Sequence, residues 1–274
     1  MLAKTAPDVR PDRSLGTAPS QSNAPLPVTV ASSRRDVLNA LRLVHDSYCD
    51  AGLIEPNESG CRVLPQHTLP TTDILVALCR GEVASTLSLV RDSHFGVPLE
   101  SVFPEFIEQR RLAGVPFAEV SCLADRRSDR HRSGGLLSSL MAFTAQFAVQ
   151  TGVDELMITV HPRHAKFYQR RLGFEMLCDD VRNYGAVRGN PAVLLMLDLP
   201  ALQAMASPAH RRLFVEQVFG LHAMQRPPYS DALAAELAWL AGEQSPEWTG
   251  RIEPTGLDEE PVILPFEPQR QLAG

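Results

Sequence analysis

DELMITVHPRHAKFYQRRLGF, residues Asp154 to Phe174, holds a strand, a stop and an amphipathic helix within a few turns of chain. Glu155 to Val160 reads as a strand: Leu156, Ile158 and Val160 alternate with Met157 and Thr159 in a run rich in β-branched and apolar residues. Pro162 ends the ladder, because proline has no N–H to donate to a sheet but fits the first turn of a helix. A helix is therefore expected over Arg163 to Arg171, with Gly173 as its left-handed C-cap and Phe167, Tyr168 and Leu172 facing inward.

A chain of 274 residues, 44% hydrophobic and 21% charged, is long enough for one large domain or two small ones. A net charge of −6 argues against general nucleic-acid binding, so any basic patch must be local. The five cysteines, Cys49, Cys61, Cys79, Cys122 and Cys178, are scattered and form no C-x-x-C, which disfavours a disulfide framework or structural zinc and fits a reducing cytoplasm. His161 and His164 have no third ligand adjoining them, so no metal site is expected. The N-terminal stretch has no signal-peptide h-region and no apolar run reaches the roughly 18 residues a membrane span needs, so a soluble protein is expected.

Residues 1–32, with five prolines among Ser, Thr, Ala and Gln, read as a disordered leader. From Arg34 the spacing of Val37, Leu38, Leu41, Val44 and Tyr48 predicts an amphipathic helix stopped at Gly52. Asp73–Leu78 and Val83–Val90 read as a hairpin about Arg80-Gly81-Glu82. A short helix after Pro104 precedes a strand from Phe117 to Ala124, and Gly135–Gln150 is a long helix with Leu136, Leu137, Leu140, Phe143 and Phe147 on one face. Residues 181–198 close the sheet, with Val193–Leu197 as a buried strand after the Gly189-Asn190-Pro191 turn. Residues 201–274 read as a helical extension and tail. Ser207-Pro208 and Ser230-Asp231 open two helices there, the second ending at Gly242. The apolar face of Leu233, Leu237, Trp239 and Leu240 has to be buried, and is expected to pack on the main domain and help wall an acyl chain. In the extension Arg211, Arg212 and Arg226 are offset by Glu216, Asp231 and Glu236, which disfavours a DNA-binding helix pair.

The strand, the helix and the Tyr168…Leu172-Gly173-Phe174 closure resemble the last motif of the GNAT acyltransferase superfamily, with His161 where an Asn would stand and one extra residue before Gly173. Thr86-Leu87-Ser88-Leu89, the Asp92-Ser93-x-x-Gly96-x-Pro98 turn and Ala118-Glu119-Val120-Ser121 resemble the long-chain N-acyl amino acid synthases and, more distantly, the acyl-homoserine-lactone synthases. The resemblance implies an α/β fold over residues 33–200, a GNAT-like mixed central sheet flanked by helices, followed by the helical extension. It implies an enzyme that binds no resident cofactor and moves a fatty acyl group from an acyl-pantetheine thioester, carried by acyl carrier protein or coenzyme A (acyl-CoA), to the α-amine of a small amino-acid acceptor; the alternatives are an acyl- or acetyl-CoA-dependent N-acetyltransferase and a GNAT-like module that binds a ligand without catalysis.

Three places offer the chemistry that aminolysis of a thioester needs: a base for the amine, donors for the oxyanion and a proton for the thiolate. Glu119 lies inside an otherwise apolar strand with Ser121 on the same face, where a carboxylate is costly unless used or paired. It is either a catalytic base or half of an internal ion pair. Glu119 also falls on the Glu of the lactone synthases' Glu-x-Ser-Arg motif, while Cys122 replaces their Arg, which speaks against lactone formation. Tyr168 stands where GNAT enzymes carry the tyrosine that protonates the leaving thiolate; otherwise it is a core tyrosine. The resemblance places the donor on Ser121, Cys122 and Leu123 and on Arg130, Ser133, Gly134 and Gly135, since GNAT proteins bind pyrophosphate here with an Arg-x-x-Gly-x-Gly turn. Ser133 in place of the first glycine favours a carrier-protein pantetheine over coenzyme A. Arg126, Arg127, Arg130, Arg132, Arg163, Lys166, Arg170 and Arg171 would then form a basic patch for that acidic partner, or else a solvated charged surface.

Overall fold

The computed structural model describes residues 27–126, 133–205 and 207–244. In chain order its strands and helices begin with β1 (Val28–Val30), α1 (Arg34–Asp50), β2 (Thr72–Cys79) and β3 (Glu82–Arg91). Next come α2 (Pro104–Ala113), β4 (Phe117–Asp125), α3 (Ser133–Gln150), β5 (Glu155–Val160) and α4 (Pro162–Leu172). After these follow β6 (Glu175–Tyr184), β7 (Asn190–Asp198), α5 (Leu199–Met205), α6 (Pro208–His210) and α7 (Asp231–Gln244). The strands form one seven-stranded sheet in the order β1-β2-β3-β4-β5-β7-β6. All neighbours are antiparallel except β4 and β5. This is the GNAT-like mixed sheet that the sequence leads one to expect.

Local chemistry sets the boundaries. The Ser33 hydroxyl caps α1 by accepting from the Asp36 N–H. Arg80 and Gly81, at φ of 54° and 79°, make the β2–β3 turn left-handed at both central residues, which matches strand twist. In α4, His161 accepts the Arg163 N–H, Pro162 occupies the first turn and Gly173 (φ 76°) closes the helix. A Cβ on Gly173 would also lie 3.1 Å from the His210 ring, so the position needs glycine for both backbone and space.

The sheet is covered on both faces. Leu75 and Ala77 of β2 join Leu87, Leu89 and Val120 under Leu140, Phe143 and Phe147 of α3. Ile74 and Val76 pack oppositely on Val37, Leu38 and Leu41 of α1, with Leu233, Leu237 and Leu240 of α7 in the same cluster. Full burial of such a side chain contributes about 1.5–3 kcal/mol. The extension is thus part of the core, as its apolar face requires.

Several expectations need correction. Part of the supposed leader is structured: Val28–Val30 pairs with Leu75–Ala77, and Val30 and Ala31 are buried. Three β-branched or apolar residues found an open sheet edge, which a composition argument over 32 residues averages away. Phe167 is 37% exposed rather than inward, because Ala165 and Leu172 already fill the buried stripe of α4. Trp239 is 61% exposed, one position off the Leu233/Leu237/Leu240 stripe, and α7 runs through Gly242 to Gln244. The last sheet strands begin earlier, at Glu175, as a β6–β7 hairpin. Ser207 does cap a helix, but of a single turn that passes into a π-helical turn over Arg211–Val215. There the Gln146 side chain of α3 donates to the carbonyls of Phe214 and Gln217 at 2.9 and 2.6 Å.

Asp73 clips the extension to the sheet. Its carboxylate, 2% exposed, carries Arg91 Nη1 at 2.8 Å on one oxygen and Arg226 Nε on the other. Removing one member of a buried ion cluster leaves the rest uncompensated, typically at a cost of about 3–5 kcal/mol. Asp73→Asn should therefore lower the urea midpoint by that equivalent with an unchanged slope; a loss below about 1 kcal/mol would show that the clip contributes little.

Candidate active site

β4 and β5 pair in parallel only over Phe117↔Glu155, Ala118↔Leu156 and Glu119↔Met157. Beyond that point β4 stays with β3 out to Asp125↔Ser85, while β5 stays with β7 out to Val160↔Val193. The two strands therefore part like a wedge, with Glu119 at its apex. A parallel ladder that stops in mid-sheet leaves main-chain groups free to meet a ligand.

One irregularity of β4 shapes this wedge. Ser121 faces Ser88 and Ala124 faces Thr86, so Cys122 and Leu123 together oppose Leu87 alone. Cys122 takes a φ of 53°, uncommon for a residue with a Cβ. The bulge resets the alternation of the strand. Cys122 and Ala124 now face Val44 and Tyr48 of α1, whereas Leu123 packs with the α3 cluster on the other face. Of the three strand residues expected beside the donor, Ser121 and Cys122 are brought to Glu119 and Leu123 is turned away from it.

Glu119 is 1% exposed. One carboxyl oxygen accepts the Leu99 N–H at 2.6 Å, and the Ser121 hydroxyl also hydrogen-bonds the group. Leu99 follows Pro98 in a 3-10 turn over Pro98–Ser101, so its N–H is free of the turn's own bonds and points at the carboxyl. Arg111 fixes that turn by bridging Glu100 and Asp92 at 2.5 and 2.7 Å. Burial pushes the Glu119 pKa up to about 7, against the opposing pull of the two hydrogen bonds. No cation is ion-paired to Glu119 among the described residues, which removes the internal salt bridge as its explanation.

A ring of neutral polar groups surrounds it. His67 accepts the Leu64 N–H on Nδ1 at 2.9 Å, which leaves its proton on Nε2 to donate to Ser88 Oγ at 2.8 Å. Burial, then the nearby Arg62 charge, holds the His67 pKa down at about 3, so the ring is neutral. Burial likewise raises the Cys122 thiol, with Ser121 and Ser88 as hydrogen-bond partners. Tyr48 and Tyr184 both have phenols raised by burial and both lie close enough to feel Glu119 and Cys122. Tyr168 is half-buried on α4, its ring edge-on to Phe174 at 5.9 Å. Burial pushes its pKa up to about 12, and among the described residues nothing hydrogen-bonds its hydroxyl. Tyr48 feels the charge of both Tyr168 and Glu119.

Arg130 lies outside the described residues, as do Arg127 and Arg132. Ser133, Gly134 and Gly135 form the first turn of α3, where a helix has N–H groups with no partner within the helix. Arg163, Lys166, Arg170 and Arg171 are exposed on α4, and none forms an ion pair with a described residue. Arg62, His67 and Tyr184 were not singled out by sequence. His67 follows no motif, and Tyr184 belongs to a strand whose start was not read. Tyr48 was assigned only to a helix face.

Among the described residues there is no group of three or more His, Cys, Asp or Glu side chains disposed for a metal ion, and no helix is long and apolar enough to cross a membrane.

A mixed sheet that parts between β4 and β5, flanked by helices and with a buried carboxyl at the apex of the wedge, is a GNAT-like fold. The family model for the N-acyl amino acid synthase FeeM matches residues 39–198, more than half of the chain, and the protein belongs to that family. The solved structure of FeeM, an N-acyl amino acid synthase from uncultured soil microbes, is similar at a TM-score of 0.56 and 21% identity, covering 66% of this chain and 95% of that one. BjaI, a CoA-dependent acyl-homoserine lactone synthase solved with MTA, is similar at a TM-score of 0.52 and 16% identity, covering 79% of this chain and 100% of that one. No curated protein matches the sequence.

Burial that raises a carboxyl makes the folded state bind a proton that the unfolded chain has already released. Wild-type stability should fall as pH rises from the unfolded value near 4.5 through about 7, on the order of 3 kcal/mol in all. Glu119→Gln keeps an acceptor for the Leu99 N–H and should flatten that slope, becoming the more stable protein at pH 8. Parallel stability profiles in urea for the two proteins would overturn the assignment of a protonated, buried carboxyl.

Proposed function

We propose that the protein joins a fatty acyl group to the α-amine of an amino acid, taking the acyl group from a carrier-protein thioester. The observation that carries the reading is Glu119: a buried carboxyl with a pKa of about 7, free of any ion pair among the described residues, at the apex of the wedge. A base poised near working pH is half deprotonated and still accepts a proton readily. The acceptor's amine gives a proton to Glu119 as its lone pair attacks the thioester carbonyl, forming the C–N bond. The carbonyl oxygen gathers negative charge, for which the unpaired main chain beside the Cys122 bulge supplies donors. Collapse of the tetrahedral species breaks the C–S bond, and the departing thiolate takes the Tyr168 proton. Tyr168 suits that role because its raised pKa keeps it protonated, and it regains a proton through the one stored on Glu119 or from solvent.

The donor reading rests on charge. Lys166, Arg170 and Arg171 stand exposed without ion pairs among the described residues, beside the exposed Phe167 ring, on the helix that carries Tyr168. Such a surface attracts an acidic carrier protein and gives its pantetheine arm a short path to the wedge. Acyl-CoA is the second donor, favoured by the unpaired first turn of α3 and by the use of coenzyme A substrates in BjaI. A carrier-protein donor implies a cytoplasmic reaction.

Purified enzyme with an acyl carrier-protein thioester and a panel of amino acids should give an N-acyl amino acid by mass spectrometry. Turnover should fall about 10²- to 10⁴-fold in Glu119→Gln, and Tyr168→Phe should slow mainly substrates with poor leaving groups. Glu119→Gln within about threefold of wild type would overturn the assigned base.

For the donor, kcat/KM with the carrier protein should exceed that with acyl-CoA, and should drop about tenfold or more between ~0.05 and ~0.5 M salt as exposed charges are screened. Lys166→Glu with Arg170→Glu should impair the carrier protein most. Equal use of both donors with no salt effect would favour acyl-CoA.

A further inference from the structure

Arg62 is a cation with an unfilled face. The segment that holds it is pinned from both sides: its N–H donates to the Leu41 carbonyl at 3.1 Å, Cys61 and Val63 are 2% exposed, and Gln244 bonds the Cys61 carbonyl and the Val63 N–H, each at 3.0 Å. With its two neighbours turned into the core beside α7, Arg62 is sent the other way. Its guanidinium lies 5.2 Å from the centre of the Tyr48 ring, and Nη2 donates to the Ala186 carbonyl at 3.2 Å. Nε is buried without a partner, and Arg62 forms no ion pair with any described residue. Among the groups that register its charge are Tyr48, Tyr184 and Cys122, which also feel Glu119, and His67, which bonds Ser88; burial keeps these four neutral.

A guanidinium offers a planar fork that fits a carboxylate, and one held in a partly enclosed site with no anion beside it lacks its complement. We infer that Arg62 binds the α-carboxylate of the acceptor amino acid and so restricts the enzyme to acceptors that carry a free carboxylate next to the reacting amine. The inference rests on the acyl-transfer reading above. It gives the acceptor two fixed ends, the amine at Glu119 and the carboxylate at Arg62, with Tyr48 stacked on the guanidinium and within electrostatic reach of Glu119. Stacking on Tyr48 keeps the fork from swinging to solvent. Simple amines, amino-acid amides and the α-amines of peptides, whose carboxyl carbon is an amide, would lack the second end.

The measurement compares an L-amino acid, chosen as the best acceptor in the panel, with its own α-amide, using one acyl thioester. Wild type should prefer the free acid, and Arg62→Ala should reduce the acid-to-amide ratio of kcat/KM about 10- to 150-fold, the range of a lost charged hydrogen bond, chiefly through KM for the acid. Arg62→Lys should recover part of the ratio, because it restores charge without the fork. A ratio is insensitive to a general loss of folded enzyme, so a poorly folding variant still reports. Equal use of acid and amide by wild type, or an unchanged ratio in Arg62→Ala, would overturn the inference while N-acylation itself stands. Should no acceptor be acylated at all, the acyl-transfer reading fails, and binding alone decides on Arg62. Thermal upshift of wild type by free amino acids, absent with their amides and lost in Arg62→Ala, upholds the carboxylate site; equal shifts reject it.

Discussion

The site depends on one constraint: the Glu119 carboxyl is held in the interior by a main-chain N–H and a serine hydroxyl rather than by a cation. Leu99 supplies the N–H at 2.6 Å from a turn that Arg111, Asp92 and Glu100 clamp at the surface. An arginine in that place would fix the carboxylate as an anion with a low pKa and little basicity. Two neutral donors instead satisfy the oxygens while leaving burial free to raise the pKa. The parting of β4 and β5 just past Glu119 then opens the sheet beside the group, and the bulge turns Cys122 rather than Leu123 onto the side that Ser121 shares with Glu119.

Much of the fold was legible because it rests on local periodicities. The hairpin of β2 and β3, the strand-to-helix step at Pro162 and the glycine stop at Gly173 each follow from residue types within a few positions. Glu119 was legible for the converse reason, as a charge that breaks an apolar strand. What stayed hidden depends on contacts distant in sequence. The period-two reading of β4 carries Leu123 onto the face of Glu119, and only the opposing strand shows that an extra residue reverses it. Arg62 reads as one polar residue in a coil; its meaning comes from Tyr48, Tyr184 and Ala186, up to 124 positions away. Trp239 shows the limit of counting apolar residues, since three leucines suffice to fill the stripe and the largest side chain is left outside.

The extension belongs to the same argument. Gln244, in the last turn of α7, holds the backbone on both sides of Arg62, and Asp73 ties Arg226 to the sheet. The helix that closes the chain's described part thus sets the orientation of a residue in the site without touching it. Positioning of this kind explains why a segment outside the family-matched residues 39–198 is packed into the core rather than tethered beside it.

Burial serves chemistry and stability in opposite senses at Glu119. The low-polarity surroundings that lift its pKa to about 7 also make its ionised form, the one able to take a proton from an amine, the form the folded state tolerates least. The neutral ring around it limits that conflict. His67 is locked as a donor to Ser88, the phenols of Tyr48 and Tyr184 stay protonated, and the Cys122 thiol is held back by burial, so ionising Glu119 adds one negative charge to a site with no other. The positive charge of Arg62 lies near enough to act on the same ring, and a carboxylate bound there would cancel it. An acceptor amine that passes its proton to the Glu119 carboxylate as it attacks would discharge that carboxylate again. Charge in the site would be kept close to neutral at every stage, which is the condition for a buried acid–base pair to work without unfolding what surrounds it.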